Sequence, residues 1–164
     1  YLNDDYKSAT PFFEKIYDKT NSDGSTPGIN LYLCLMKSGD TAHVETIKKE
    51  LVAHISSDVS DARKKGQKPI FDATGLVLAS WTGEMSEEDA LAYNALTTGQ
   101  WFRSKHVWDC ELYYYLGAYN AVNGNTDKAR TYLQKSVDTG MKHMVEWLLA
   151  KHELEELDKK AGSS

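Results

Sequence analysis

The run Tyr113-Tyr114-Tyr115-Leu116-Gly117-Ala118-Tyr119-Asn120-Ala121-Val122-Asn123-Gly124-Asn125-Thr126-Asp127-Lys128-Ala129 holds a helix end, a turn and a helix start in one short stretch. Upstream of the turn, Val107, Trp108, Cys110, Leu112, Tyr113, Tyr115, Leu116, Tyr119 and Val122 recur at three- and four-residue steps with no Pro, which predicts a helix over 104–122. Ser104 suits its N-cap, where a hydroxyl can accept a first-turn amide. The turn falls at Asn123-Gly124-Asn125, residues that tolerate positive φ. A second helix is predicted from Thr126 to Thr139, with Ala129, Tyr132, Leu133, Ser136 and Val137 on one stripe and Gly140 at its end. A third runs from Met141 to Leu157, placing Met144, Val145, Leu148 and Leu149 on one face and leaving His152, Glu153, Glu155, Glu156, Lys159 and Lys160 solvated.

The middle of the chain follows the same grammar less clearly. Ser86-Glu87-Glu88-Asp89 has the form of a capping box and opens a helix through Ala90, Leu91, Tyr93, Ala95 and Leu96. Pro69 suits the first turn of a helix running to Trp81, with Gly75 as its weak point. Ile29 to Met36 has aliphatic residues at every odd position, a period that a strand would share. The residues after it favour a helix, because Asp40-Thr41 caps a run through Val44, Ile47, Leu51 and Ile55. From Ser56 to Lys68 the chain carries Arg63, Lys64, Lys65 and Lys68 but few large apolar residues, and a solvated helix end and loop is the plainer reading of that charge run than a basic handle.

Composition narrows the function classes. The 164 residues carry a net charge of −5, so nothing draws the whole molecule to nucleic acid. A 41% hydrophobic and 26% charged composition is that of a globular chain. Two Cys are too few for a disulfide scaffold, and no apolar run approaches the ~18 residues that cross a bilayer. No leader-like segment opens the chain, so a soluble all-α domain is expected.

Helix pairs that each bury one face must stack on neighbours, which calls for a repeat. Tyr113, Leu116, Gly117, Gly124, Ala129 and Leu133 each have a job in one antiparallel pair. Gly117 and Ala129 let the helices approach, Gly124 makes the turn, and Tyr113 and Leu133 fill the seam. This pattern resembles a tetratricopeptide repeat over Cys110 to His143. Weaker copies stand at Leu31, Leu35, Gly39 and Val44, where Tyr32 replaces the small residue, and at Asp72 to Leu96 with Gly83 and Ala90. Ala9, Phe13 and Ile16 resemble a second helix of a repeat, with Pro11 moving its expected start to Thr10. The small positions 9, 44, 90 and 129 are unevenly spaced around the family period of ~34 residues. The division is a partial repeat over 1–24, a degenerate repeat over 25–58, a basic linker over 59–68, a degenerate repeat over 69–99, the best-formed repeat over 104–140, a capping helix over 141–157 and a tail over 158–164.

The order of these features, with Met144-Val145-Glu146, His152-Glu153-Leu154 and Glu155-Glu156-Leu157 in the terminal helix, is similar to the C-terminal part of the NlpI-like family of bacterial outer-membrane lipoproteins, over Pro27 to Leu157. The resemblance implies a right-handed helical solenoid of degenerate tetratricopeptide repeats with a C-terminal capping helix. It also implies a non-catalytic scaffold or adaptor in the periplasm, anchored through a lipidated Cys upstream of Tyr1. Its partners would be other proteins or peptides, with an envelope protease or peptidoglycan hydrolase foremost, and self-association into a homodimer fits the same picture. No cofactor, nucleic acid or direct membrane insertion is implied. A cytoplasmic repeat protein assembling a regulatory complex would read the same way. Carried over by position, the groove would be lined by Ile29, Leu33 and Met36 and by Glu111, Tyr114 and Ala118. For Leu33 and Ala118 simple packing is the plainer reading, and Glu111 and Tyr114 are the stronger groove candidates. The Lys, Arg and Asn of carboxylate-clamping members are replaced here by Ile29, Leu33, Tyr114 and Ala118, so that mode is not expected.

Chemistry finds few candidates. His106 and Cys110 lie one helical turn apart and could form a Cys/His pair in a hydrolase, but no orienting group or oxyanion site accompanies them. The same pair is alone in having ligand-like spacing, and a structural zinc site wants four ligands. His54, Ser57 and Asp58 are triad residue types whose closeness in sequence says nothing of triad geometry. Trp101 and Trp108 flank a turn and read as core. No active site and no metal site is expected.

Overall fold

A computed structural model describes residues 5–17, 25–67, 71–97 and 104–162. Among them every regular element is an α-helix: α1 Tyr6–Ile16, α2 Ser25–Ser38, α3 Thr41–Lys64, α4 Ala73–Thr82, α5 Glu87–Thr97, α6 Lys105–Val122, α7 Thr126–Asp138 and α8 Val145–Gly162. The expected all-α class holds. The chain divides into two compact units at the Ala90–Leu91 bond.

In the first unit α2 is the central element, packed by α1, α3 and α4. Ile29, Leu31, Tyr32, Leu33, Cys34 and Leu35 are all buried. A helix covered on several sides has no polar stripe, which is why its sequence also fitted a strand. α2 turns into α3 through Gly39, whose φ is 78°. The Asp40 N–H returns to the Leu35 carbonyl at 3.0 Å and the Gly39 N–H to Met36 at 3.3 Å, a Schellman closure that satisfies carbonyls left over by the helix. Asp40 then caps α3, accepting the His43 amide at 3.4 Å and the His43 ring at 2.7 Å. This contact lowers the Asp40 pKa and raises that of His43, which Glu14 raises further.

The two helices approach at Gly28, where a Cβ would lie 2.5 Å from Leu51 Cδ2. That contact lies further from the turn than position 32. The Tyr32 ring packs on Trp81 at 4.9 Å.

Several expected boundaries shift for physical reasons. α1 begins at Tyr6, not Thr10, because Asp5 accepts the Ser8 amide at 3.1 Å and caps it. Pro11 sits inside α1, where it cannot bond the Lys7 carbonyl; no residue of α1 is buried, so the fault disturbs no core. α3 continues to Lys64, through the first part of the expected basic linker, because Val59 extends the buried stripe of Val44, Leu51 and Ile55. Part of the basic charge there is paired, Arg63 with Glu84 at 3.2 Å and Lys64 with Asp61 at 3.1 Å. α4 starts at Ala73 under Asp72, which accepts the Gly75 amide at 2.6 Å. Pro69 and Lys68 lie outside the described residues. A Cβ on Gly75 would stand 3.1 Å from the Asp72 carboxylate, which accounts for the glycine. The α5 cap forms with Ser86 Oγ accepting the Asp89 amide at 3.0 Å, while Asp89 accepts the hydroxyl proton at 2.7 Å rather than the Ser86 backbone amide.

In the second unit α6 and α7 form a hairpin and α8 packs on both. A Cβ on Gly117 would lie 2.7 Å from Leu133 Cγ and 3.0 Å from the Leu133 backbone nitrogen, so only glycine allows this separation. Ala129 and Leu133 are fully buried. The Ser136 hydroxyl donates to the Cys110 carbonyl at 2.9 Å, tying the far end of the hairpin. At the start of α6, Ser104 occupies the N-cap but makes no side-chain capping bond; its carbonyl accepts the Val107 and Trp108 amides instead.

α8 begins at Val145 rather than Met141, after a turn in which the Lys142 amide bonds Gly140 at 2.8 Å, and it runs to Gly162, beyond the expected Leu157. The Trp147 indole donates to the Val137 carbonyl at 2.8 Å. Near the other end, Arg130 reaches the Leu157 carbonyl at 2.8 Å and pairs with Asp158. These ties set the helix phase. Leu149, Ala150 and Glu153 turn inward, while Val145 and Leu148, expected on the buried face, are exposed.

Gly117→Ala is expected to lower the urea midpoint without changing the slope. Overpacking costs about 1–3 kcal/mol and outweighs the ~1 kcal/mol that alanine gains in helix propensity. Adding Leu133→Ala should make the Gly117→Ala change cheaper, because the clashing carbons belong to Leu133. A Gly117→Ala chain as stable as the parent would contradict the close approach.

Candidate protein-binding surface

The six residues expected to line a groove fall into two sets, one in each unit. Ile29, Leu33, Tyr114 and Ala118 are 0% exposed, so none of them faces solvent. Met36 and Glu111 are half-buried. Tyr114 packs edge-on against Tyr115 at 4.9 Å. On this geometry the four buried residues, Tyr114 among them, pack in the cores of their own units. Trp108 is also buried; Trp101 lies outside the described residues.

The His106/Cys110 pair does not assemble. His106 is exposed, whereas the Cys110 thiol is fully buried and faces Ser136 Oγ at 3.5 Å. Burial raises the Cys110 pKa, and the Ser136 hydroxyl only partly opposes this. A neutral thiol against a hydroxyl is a packed small hydrophobe with one weak polar contact. Cys34 is likewise buried, its thiol pushed up to about 11 mainly by desolvation. His54, the histidine of the other triad-type group, lies 3.6 Å from Asp58 on the next turn of α3. No group of three or more potential metal ligands occurs among the described residues, and no helix there is long and apolar enough to cross a membrane.

What reaches the surface was not singled out by the sequence. The exposed large hydrophobics among the described residues come as two pairs at helical spacing: Phe12 and Ile16 on α1, 60% and 44% exposed, and Val145 and Leu148 on α8, 53% and 44% exposed. The α8 pair is preceded by half-buried Met141 and Met144, which extend the apolar surface into the α7–α8 turn. Scattered apolar side chains need no explanation; a helix-spaced set beside Met side chains is the candidate for a contact face.

On the α6–α7 hairpin, Tyr113 and Tyr132 stack with centroids 6.2 Å apart and planes 18° apart, and Lys135 Nζ sits 5.5 Å over both rings. Burial, together with the nearby Asp109 charge, raises the Tyr113 pKa and keeps it a phenol; Lys105 opposes this weakly. The signal for the α8 pair was present in the sequence as an apolar run, Val145-Glu146-Trp147-Leu148-Leu149-Ala150, wider than one buried stripe. No family model, curated protein or solved structure matches the chain.

Both thiols of the native chain are expected to react slowly with a thiol reagent near pH 8 and fully once the chain is denatured; rapid labelling of native Cys110 would contradict its placement. The Cys34 thiol also gives a pH dependence. The folded chain holds it protonated up to about 11 while the ordinary value is 9.0. Its contribution to stability is therefore complete below pH 9 and is lost as pH rises towards 11. A Cys34→Ala chain should lose less stability across that interval than the parent.

Proposed function

We propose that the chain is a non-catalytic protein-binding scaffold built as a right-handed solenoid of degenerate tetratricopeptide repeats, working in the bacterial cell envelope as NlpI-like proteins do. The observation that carries the repeat reading is a helix–turn–helix joint that occurs twice among the described residues. Left-handed Gly66 closes α3 with the same five-back bond, Gln67 to Ala62 at 2.9 Å, but the next described helix starts only at Ala73. Gly39, Asp40, Thr41 and Val44 correspond at one constant offset to Gly124, Asn125, Thr126 and Ala129. In each copy the glycine is left-handed, φ 78° and 79°. The residue after it returns its amide to the carbonyl five positions back, Asp40 to Leu35 at 3.0 Å and Asn125 to Asn120 at 2.9 Å. Thr41 and Thr126 both bond their glycine's carbonyl at 3.0 Å. The glycine–leucine contacts, Gly28 on Leu51 and Gly117 on Leu133, stand at different places relative to the two turns and are no part of this correspondence. Two helical hairpins joined by one turn support an internal repeat.

The binding half of the proposal rests on the exposed apolar face of α8. A terminal helix with Val145 and Leu148 outward, and Met141 and Met144 beside them, suits a partner that supplies apolar side chains of its own. The partner we propose is an envelope protease or a peptidoglycan hydrolase.

The test is capture from bacterial envelope extract by the parent chain and by a Val145→Lys, Leu148→Glu double variant, with circular dichroism establishing that both are folded. A protease or cell-wall hydrolase identified with the parent and lost with the variant is the expected result. Equal capture by both would remove the α8 face from the proposal, and no such enzyme in either capture would remove the envelope role.

A further inference from the structure

The α6–α7 turn contains the chain's single Asn-Gly step, Asn123-Gly124. Such a step carries intrinsic chemistry. The Gly124 backbone nitrogen can lose its proton and attack Asn123 Cγ, forming a five-membered succinimide and releasing the side-chain nitrogen as ammonia. One water then opens either carbonyl, giving an aspartyl residue or an isoaspartyl one whose backbone runs through the former side chain. Overall a carboxamide and a water become a carboxyl group and ammonia. Glycine is the residue that least hinders the attack, having no side chain.

In the fold both reacting groups are engaged. The Asn123 carboxamide donates to the Tyr119 carbonyl at 2.8 Å. The Gly124 N–H donates to the Ala121 carbonyl at 3.2 Å. Ring closure would need the Gly124 nitrogen to swing over Asn123 Cβ, a rotation well away from the observed ψ of 7°. The turn around them is tied on both sides: Asn125 Nδ2 bonds Asn120 Oδ1 at 3.2 Å, and Asn120 Nδ2 bonds the Leu116 carbonyl at 2.8 Å. Reaction therefore requires the end of α6 to open.

We propose that Asn123 is a site of spontaneous covalent modification held dormant by the folded turn, and that its product loosens the turn that restrained it. A carboxylate at position 123 cannot donate to the Tyr119 carbonyl, and it places negative charge at the C-terminus of α6, where the helix dipole disfavours it. The isoaspartyl product inserts an extra backbone atom beside a left-handed glycine. Either product raises the population of the open turn, so modification favours further opening of the hairpin.

The equivalent turn supplies a control. The place of Asn123 is taken there by Ser38, whose hydroxyl donates to the Leu35 carbonyl at 3.1 Å. The backbone turn thus forms without an asparagine, and Asn123→Ser removes the reactive amide while keeping a group suited to the turn.

The full chain is incubated at neutral pH, native and in denaturing urea, and digested for peptide mapping by mass spectrometry. Asn123 should be the first asparagine to convert in urea, at a rate about tenfold or more above its rate in the native chain. Asn123→Ser should melt close to the parent and Asn123→Asp below both. Equal rates in the native and unfolded chain, an earlier conversion at another asparagine in urea, or an Asn123→Asp chain that melts with the parent would each overturn the proposal. The comparison of native with unfolded parent needs no variant to fold.

Discussion

The contact between Gly117 and Leu133 sets the geometry of the second unit. A helix that presents no Cβ at its crossing point lets its neighbour's leucine come within reach of its backbone. The rest of the hairpin is built around that separation. Ala129 is small enough to be buried at the seam, Ser136 can bridge to the Cys110 carbonyl, and the Asn123–Asn125 turn spans the short gap between the axes. α8 then docks on a surface already fixed, held by the Trp147 indole at one point and by Arg130 at another. A methyl group at position 117 would disturb all of these together, because close-packed interiors transmit a displacement rather than absorb it.

The first unit meets the same constraint with different residues. Gly28 and Leu51 make a close contact further from the turn, and position 32 holds a tyrosine whose ring meets Trp81 at a tilt of 51°. A sequence pattern that fixes the small residue at one place cannot find this arrangement, since it depends on where two helices cross rather than on residue spacing. That explains why the pattern is plain in the second hairpin and faint in the first, although their turns share the same hydrogen bonds.

Much of the architecture was legible in the residues. The helical class, the turns at Gly39, Gly83, Gly124 and Gly140, and the caps at Asp40 and Ser86 all follow from local chemistry that acts within a few residues. The misplaced boundaries lie where tertiary contacts override local preference: Val59 draws α3 through a basic stretch, and an Asp5 cap carries α1 past Pro11. The candidate surface was less legible. Position in a repeat points to Ile29, Leu33, Tyr114 and Ala118 as groove residues, whereas helices packed on several sides bury them. The exposure of Val145 and Leu148 depends on the phase of α8, which Trp147 sets through a hydrogen bond to another helix. An apolar run broader than one stripe signals that some of it must face outward, but not which part.

Amide hydrogen exchange, resolved by residue in the native chain, tests the two-hairpin account most directly. If the glycine–leucine closures hold the fold together, the slowest amides belong to Leu31–Leu35 and Leu51–Ile55 in the first unit, and to Leu112–Leu116 and Tyr132–Ser136 in the second, with α1 exchanging first. Protection in those segments no greater than that of α1, which buries no residue, would contradict it.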